Sequence, residues 1–145
     1  MAERIVRPDT AFSVSRQRRP RLVSSDHLAW IRTLPCLVSG SRIDVEAAHV
    51  RYASMGHGKA ETGVGTKPSD FWVVPLSAQM HRLSDEAQHQ HGEPAWWRAH
   101  NIDPLVVAAL LYASSAHDEA GAAIVTAARR GWYPFPAGMR MEMMR

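Results

Sequence analysis

The chain has a single cysteine, Cys36, among 145 residues. This excludes an internal disulfide and any zinc cluster built mainly from cysteine thiolates. Lysine is nearly absent: Lys59 and Lys67 are the only two, and the rest of the 17 basic residues are arginines. No apolar run approaches the roughly 18 residues that a membrane span requires. The charged N-terminus is not followed by the apolar stretch of a secretory signal. A cytoplasmic location with no membrane partner is the resulting expectation. There is no internal repeat. The Gly-rich stretch 53–69 lacks the Gly-Lys-Ser/Thr ending of a phosphate-binding P-loop.

What is present is enough to fold. Hydrophobic residues make up 46% of the chain, which supports a true core, and the length fits one domain with tails. The net charge of +3 matters less than its chemistry, because the planar fork of arginine matches phosphate oxygens. Arg4, Arg7, Arg16, Arg18, Arg19 and Arg21 crowd the first 21 residues against Glu3 and Asp9. That run reads either as a solvated tail or as an arm on a nucleic-acid backbone, where neutralised phosphates release counterions. The expected organisation is a basic flexible arm at 1–24, a core at 25–103, a helical extension at 104–131 and a Pro- and Met-rich tail at 132–145.

Local patterns predict an α+β domain. Ser25 or Asp26 caps a helix over His27–Thr33. Residues Arg42–Tyr52 alternate as a strand, with Ile43, Val45, Ala47 and His49 on one side. Phe71–Leu76 reads as a short buried strand, followed by a helix that starts near Ser77 and carries His81. Glu93–His100 gives a further helical turn or two. Asp103 caps a helix with Pro104 in its first turn, running to about Ala116. Another spans Asp118–Arg130, where Arg129 and Arg130 meet the macrodipole and Gly131 follows.

The chemistry-bearing residues are histidines set around the second strand: His49, His81, His89 and His91. Imidazole both accepts protons and binds metals near neutral pH. Phosphodiester hydrolysis needs a deprotonated water, a Lewis acid on the phosphate and relief of charge on the leaving oxygen. A histidine on a strand followed by histidines on a helix can supply all three. Trp72, Trp96 and Trp97 lie in apolar segments and read as core rather than as base-stacking platforms. Cys36 reads as a small buried residue rather than a nucleophile.

Five segments in order carry a family resemblance. Ala48-His49-Val50-Arg51 is similar to an Ala-His-His-(Ile/Val/Leu)-Arg segment. Lys67-Pro-Ser-Asp70 through Pro75-Leu76 is similar to Lys-x-x-Asp-x-x-x-x-Pro-Leu-Cys, and Met80-His81-Arg82 to His-His-Arg. Gln88-His89 through Trp96-Trp97 is similar to Gln-His-x-x-x-Glu-x-x-(Phe/Trp)-Trp, with Asn101-Ile102-Asp103-Pro104 standing for Gly-Ile-Asp-Pro. Over residues 27 to 110 the chain therefore resembles the HNH (His-Me finger, ββα-metal) endonucleases, in particular the phage recombination-enhancement nucleases. The resemblance implies a small ββα-metal core flanked by an N-terminal helix and C-terminal helices. It implies His49 as general base, Asp70 as its orienting partner or that of the adjoining loop, and His81 and His89 as ligands of one divalent ion (Mg, Mn or Zn). Arg51 and Lys67 would hold substrate phosphate. DNA is the implied partner, with recombination proteins as a further one.

The chain departs from that pattern in three places. Ala48 stands where many such sites have a metal-binding Asp or His, so a further donor is needed, and Asp44, Glu46, Asp85 and His91 all remain open. An unbroken helix would hold His81 and His89 about 12 Å apart, so joint binding requires a break between them, whereas His81 and Asp85 share a face without one. The family's cysteine pairs are replaced by Ser39 and Ser77, which argues against a structural zinc. These departures motivate the alternative of a non-catalytic nucleic-acid-binding module on a degenerate HNH scaffold.

Overall fold

A computed structural model describes residues 21–60 and 67–131. The arm up to residue 20, the centre of the Gly-rich loop and the tail from 132 lie outside the described residues. The elements run α1 (Ser25–Ile31), β1 (Val45–His49), β2 (Val73–Ser77), α2 (Glu93–Ala99), α3 (Pro104–Ala113) and α4 (Asp118–Arg129), with single helical turns between them. This is a small α+β fold whose helices flank a two-stranded antiparallel sheet.

Each helix start follows its local chemistry. The Ser24 hydroxyl, one residue ahead of the expected cap, accepts from the His27 N–H at 3.3 Å and satisfies an otherwise orphan donor. Asp103 caps α3 as expected, accepting from the Leu105 and Val106 N–H groups. β1 is shorter than its alternation suggests, and β2 begins two residues later and ends one residue later than expected. Asp44 adopts φ +49° and breaks the extended run before Val45. At the other end the Arg51 N–H is taken by Glu93, so pairing stops once the Val50 N–H has reached the Trp72 carbonyl.

The register sets Glu46 against Leu76, Ala48 against Val74 and His49 against Val73. Side chains alternate along a strand, so Glu46 and Ala48 leave on one face of the hairpin and His49 on the other. The core joins Ile31 of α1, Val73, Val74 and Leu76 of β2, Trp97 of α2 and Leu105, Val107 and Leu111 of α3. Each such side chain stabilises the fold by about 1.5–3 kcal/mol. Helix α3 is apolar nearly all round because β2 and α4 both pack on it. Helix α4 approaches α1 closely at Gly121, where a Cβ would sit 2.6 Å from Trp30. Cys36 is fully buried. Among the described residues, no helix is long and apolar enough to cross a membrane.

Candidate functional site

His49 closes β1, and its Nε2 lies 2.8 Å from Asp70 Oδ1. Asp70 is 1% exposed, yet both its oxygens are satisfied. Oδ1 also accepts from Arg21 Nη2 at 3.1 Å, and Oδ2 accepts from the Ser24 N–H at 2.9 Å. Burial works to raise the Asp70 carboxyl, but the hydrogen bonds from His49 and Ser24 and the nearby cations hold it below the usual range. An ionised carboxylate only accepts, so the His49 proton sits on Nε2 and Nδ1 keeps its lone pair. Burial lowers the His49 pKa; Asp70 pulls it up, while Arg21 and Lys67 push it further down. The result is a neutral imidazole with an available acceptor nitrogen.

The second cluster begins after β2. Residues Gln79–Leu83 form one π-helical turn, started where the Ser77 hydroxyl accepts from the Met80 N–H at 3.3 Å. Ser84 then turns extended, and a 3₁₀ turn follows at Gln88–Gln90. The helical path is therefore broken between His81 and His89. Their rings come together at 4.6 Å between centroids, with the two Nε2 atoms 2.9 Å apart.

Glu46 stands behind this pair. Its Oε2 lies 2.6 Å from His81 Nδ1, and its Oε1 accepts from Arg82 Nη2 at 2.8 Å and Nε at 3.0 Å. The Arg82 hydrogen bond chiefly, against a burial effect of opposite sign and with help from His81, holds the Glu46 carboxyl low. Glu46 thus fixes the His81 proton on Nδ1 and turns the Nε2 lone pair toward His89. Burial, then the neighbouring His81 and Arg51, lower the His89 pKa.

This donor set suits a divalent cation. Two nitrogens each about 2.0–2.1 Å from one ion stand about 3 Å apart, and a carboxylate on the far nitrogen is the usual orienting device. Among the described residues no three His, Cys, Asp or Glu side chains converge on a metal-sized site. Among the described residues, His81 and His89 are thus the two side chains placed to share one ion. Of the four open candidates for a further donor, Glu46 is the one in contact, and it bonds the far side of His81. His91 is engaged elsewhere, donating from Nε2 to the Asp85 carbonyl at 2.9 Å.

The structure thus pairs His49 with Asp70, and His81 with His89. Among the described residues, no hydrogen bond or ion pair joins the two groups. Each has its own cation, since the charge of Lys67 acts on His49 and that of Arg51 on His89, and both side chains are exposed. Sequence reasoning missed Arg21 as a partner of Asp70, because nothing distinguishes it from the other arm arginines. It also missed Glu93, which accepts from Arg51 and Gln88. The signal available there was the spacing of Gln88, His89 and Glu93. His57 bridges Ser54 Oγ at 2.7 Å and Asp103 Oδ2 at 2.9 Å, pinning the start of the Gly-rich loop to the cap of α3.

Residues 5–116 match the family described as Protein of unknown function (DUF968). The chain belongs to this family. No curated protein and no solved structure matches it. The DUF968 match begins ahead of α1 and ends just past α3, so it contains both histidine groups, Glu46, Asp70 and Glu93. Helix α4 lies beyond it.

Proposed function

We propose that the protein is a metal-dependent endonuclease of the HNH type, hydrolysing phosphodiester bonds in DNA. The observation that carries this reading is the pair of imidazole Nε2 atoms 2.9 Å apart, with a carboxylate behind His81. In this reading the β1–β2 hairpin and the turns bearing His81 and His89 are a ββα-metal core. A divalent cation bound there stabilises negative charge on the phosphate and the leaving oxygen.

The remaining chemistry belongs to the chain's own residues. His49 Nδ1 takes a proton from water. The resulting hydroxide oxygen bonds to phosphorus, the bond from phosphorus to the leaving ester oxygen breaks, and that oxygen is protonated from solvent. Asp70 holds the His49 ring and stabilises the imidazolium that forms. Arg51 and Lys67 hold phosphate oxygens. In-line displacement puts the attacking and leaving oxygens on opposite sides of phosphorus. His49 and Glu46, which backs the His81–His89 pair, leave β1 on opposite faces, an arrangement that suits a phosphodiester lying across the strand.

The test is plasmid nicking by purified protein with Mg²⁺, Mn²⁺ or Zn²⁺ and with EDTA. Nicking that needs metal and disappears in His49→Ala supports the reading. A His49→Ala protein that cuts as fast as wild type removes the assigned base. The two-ligand donor set also favours a second reading, a nucleic-acid-binding module without catalysis. Salt-sensitive DNA binding with no nicking under any of these metals would select it.

A further inference from the structure

Two side chains hold the backbone of Arg51, just past β1, and a third braces one of them. The Arg51 N–H donates to Glu93 Oε2 at 3.1 Å and Oε1 at 3.3 Å. The Arg51 carbonyl accepts from Lys59 Nζ at 3.4 Å. Glu93 Oε1 also accepts from Gln88 Nε2 at 2.9 Å, and Gln88 opens the 3₁₀ turn that carries His89. Lys59 is 2% exposed and Gln88 is 4% exposed.

A lysine so deeply buried is costly unless its charge is compensated. Burial lowers the Lys59 ammonium pKa, and the Glu93 charge draws it back up. Burial raises the Glu93 carboxyl, against the Arg51 N–H and the Lys59 charge. The two groups offset each other around one residue, so both backbone polar groups of Arg51, in the two peptides that flank its Cα, are held. Outside this cluster, the segment leading to His89 is tied down by Trp96 Nε1, which donates to the Glu86 carbonyl at 2.7 Å. That tie precedes the turn. Apart from the His81–His89 contact itself, the Gln88 amide is a direct side-chain tie from the turn to another element.

We propose that Glu93 and Lys59 are positioning residues that lock the Arg51 backbone and, through Gln88, set the turn that presents His89 to His81. The inference rests on the metal-pair reading for its function, because the held groups are the second ligand and a phosphate-holding cation. Its geometry is testable without metal.

In the metal-free protein at fixed pH, NMR should show a nuclear Overhauser contact between the His81 and His89 ring protons. A contact between His27 and Tyr112, whose rings lie 5.1 Å apart, reports an intact fold. Glu93→Ala and Gln88→Ala should lose the His81–His89 contact and keep the second one. Glu93→Gln should retain both, since its carbonyl still accepts from Arg51 and a turned-over Gln88 amide can pair with it. The milder Gln88→Ala serves if Glu93→Ala unfolds. Zn²⁺ titration by calorimetry should then show affinity reduced about tenfold in Gln88→Ala, the range for loss of a supporting hydrogen bond. Retention of the ring contact in the folded Ala variants overturns the positioning role. Absence of Zn²⁺ binding by wild type, with the ring contact behaving as expected, overturns the metal reading and leaves the positioning role standing.

Discussion

The hairpin carries a histidine–carboxylate pair on each face, and the two are wired in opposite senses. Asp70 bonds His49 through Nε2 and leaves Nδ1 available, whereas Glu46 bonds His81 through Nδ1 and leaves Nε2 available. Asp70 is buried and spreads its bonds over Arg21, Ser24 and His49, while Glu46 is partly exposed and shares itself with Arg82. What faces the free nitrogen differs too. A second imidazole faces that of His81, whereas among the described residues no titratable side chain other than Asp70 bonds His49. On the proposed reading, the same two residue types thus serve as a lone proton acceptor on one face and as half of a cation site on the other. The carboxylate selects the nitrogen, and the neighbour selects the chemistry.

The sharpest way to break this comparison is to remove one imidazole from each face. His49→Ala should lower nicking by about 10²–10⁴-fold, the usual worth of a general base, while leaving Mn²⁺ or Zn²⁺ binding intact by calorimetry. His81→Ala should abolish that binding. If His49→Ala loses metal affinity as well, the two pairs act as one site and the division between faces is wrong.

The carboxylates should differ next, in stability. Asp70→Ala removes a fully buried acceptor and leaves the Ser24 N–H and the His49 N–H without it, while the exposed Arg21 guanidinium turns to solvent; it should cost about 2–3 kcal/mol in urea denaturation. Glu46 is itself partly exposed, as is its partner Arg82, so the denaturation midpoint of Glu46→Ala should stay closer to that of wild type. Equal losses from the two substitutions would mean that the faces are not structurally distinct.

Much of the scaffold was legible because its signals are local. The cap at Asp103, the proline after it, the stop at Gly131 and the apolar strand after Asp70 all depend on neighbouring residues. The strand ends were not legible. A positive φ at Asp44 and a carboxylate forty-two residues away on the Arg51 N–H decide them. The approach of His81 to His89 was only conditionally readable. Spacing says that a helix must break, but the π-helical turn and the extended Ser84 that break it depend on β2, whose Ser77 starts the turn. Glu46 was one of four open candidates in sequence. Contact narrows them, and gives Glu46 a place behind the histidine, on Nδ1 rather than beside the Nε2 pair.

That place makes a smaller, more specific prediction. Glu46→Gln keeps the size of the side chain and an acceptor for the His81 N–H, but removes the charge that raises ligand basicity and holds Arg82. Metal affinity should fall about 10–100-fold, with nicking restored by raising the metal concentration. Asp70→Asn should show the opposite pattern, with unchanged metal affinity and a nicking defect that added metal does not rescue. If extra metal rescues both variants equally, Asp70 belongs to the cation site.

The smallest effect concerns pH and separates the faces without any assay of activity. His27, 2% exposed, has its pKa lowered by burial, with the Asp70 charge partly offsetting this; the His49 pKa is lowered in the same way. In the unfolded chain both imidazoles take a proton near pH 6.5, so below that pH the unfolded state binds more protons than the folded one. Stability is then fully present above about pH 6.5 and declines as pH falls toward the lowered folded values, with a slope of at most about 1.4 kcal/mol per pH unit for each imidazole. Asp70 acts in another window: its lowered pKa contributes stability above the unfolded carboxylate value near 3.9, which is lost only in stronger acid. Urea denaturation between pH 7 and 5 should therefore show a decline that flattens in His27→Asn and again in His49→Asn. His89→Asn should flatten it less, because the His89 side chain is more exposed than either. A slope set mainly by His89 would place the proton-sensitive weakness on the metal face, reversing the contrast between the two halves of the hairpin.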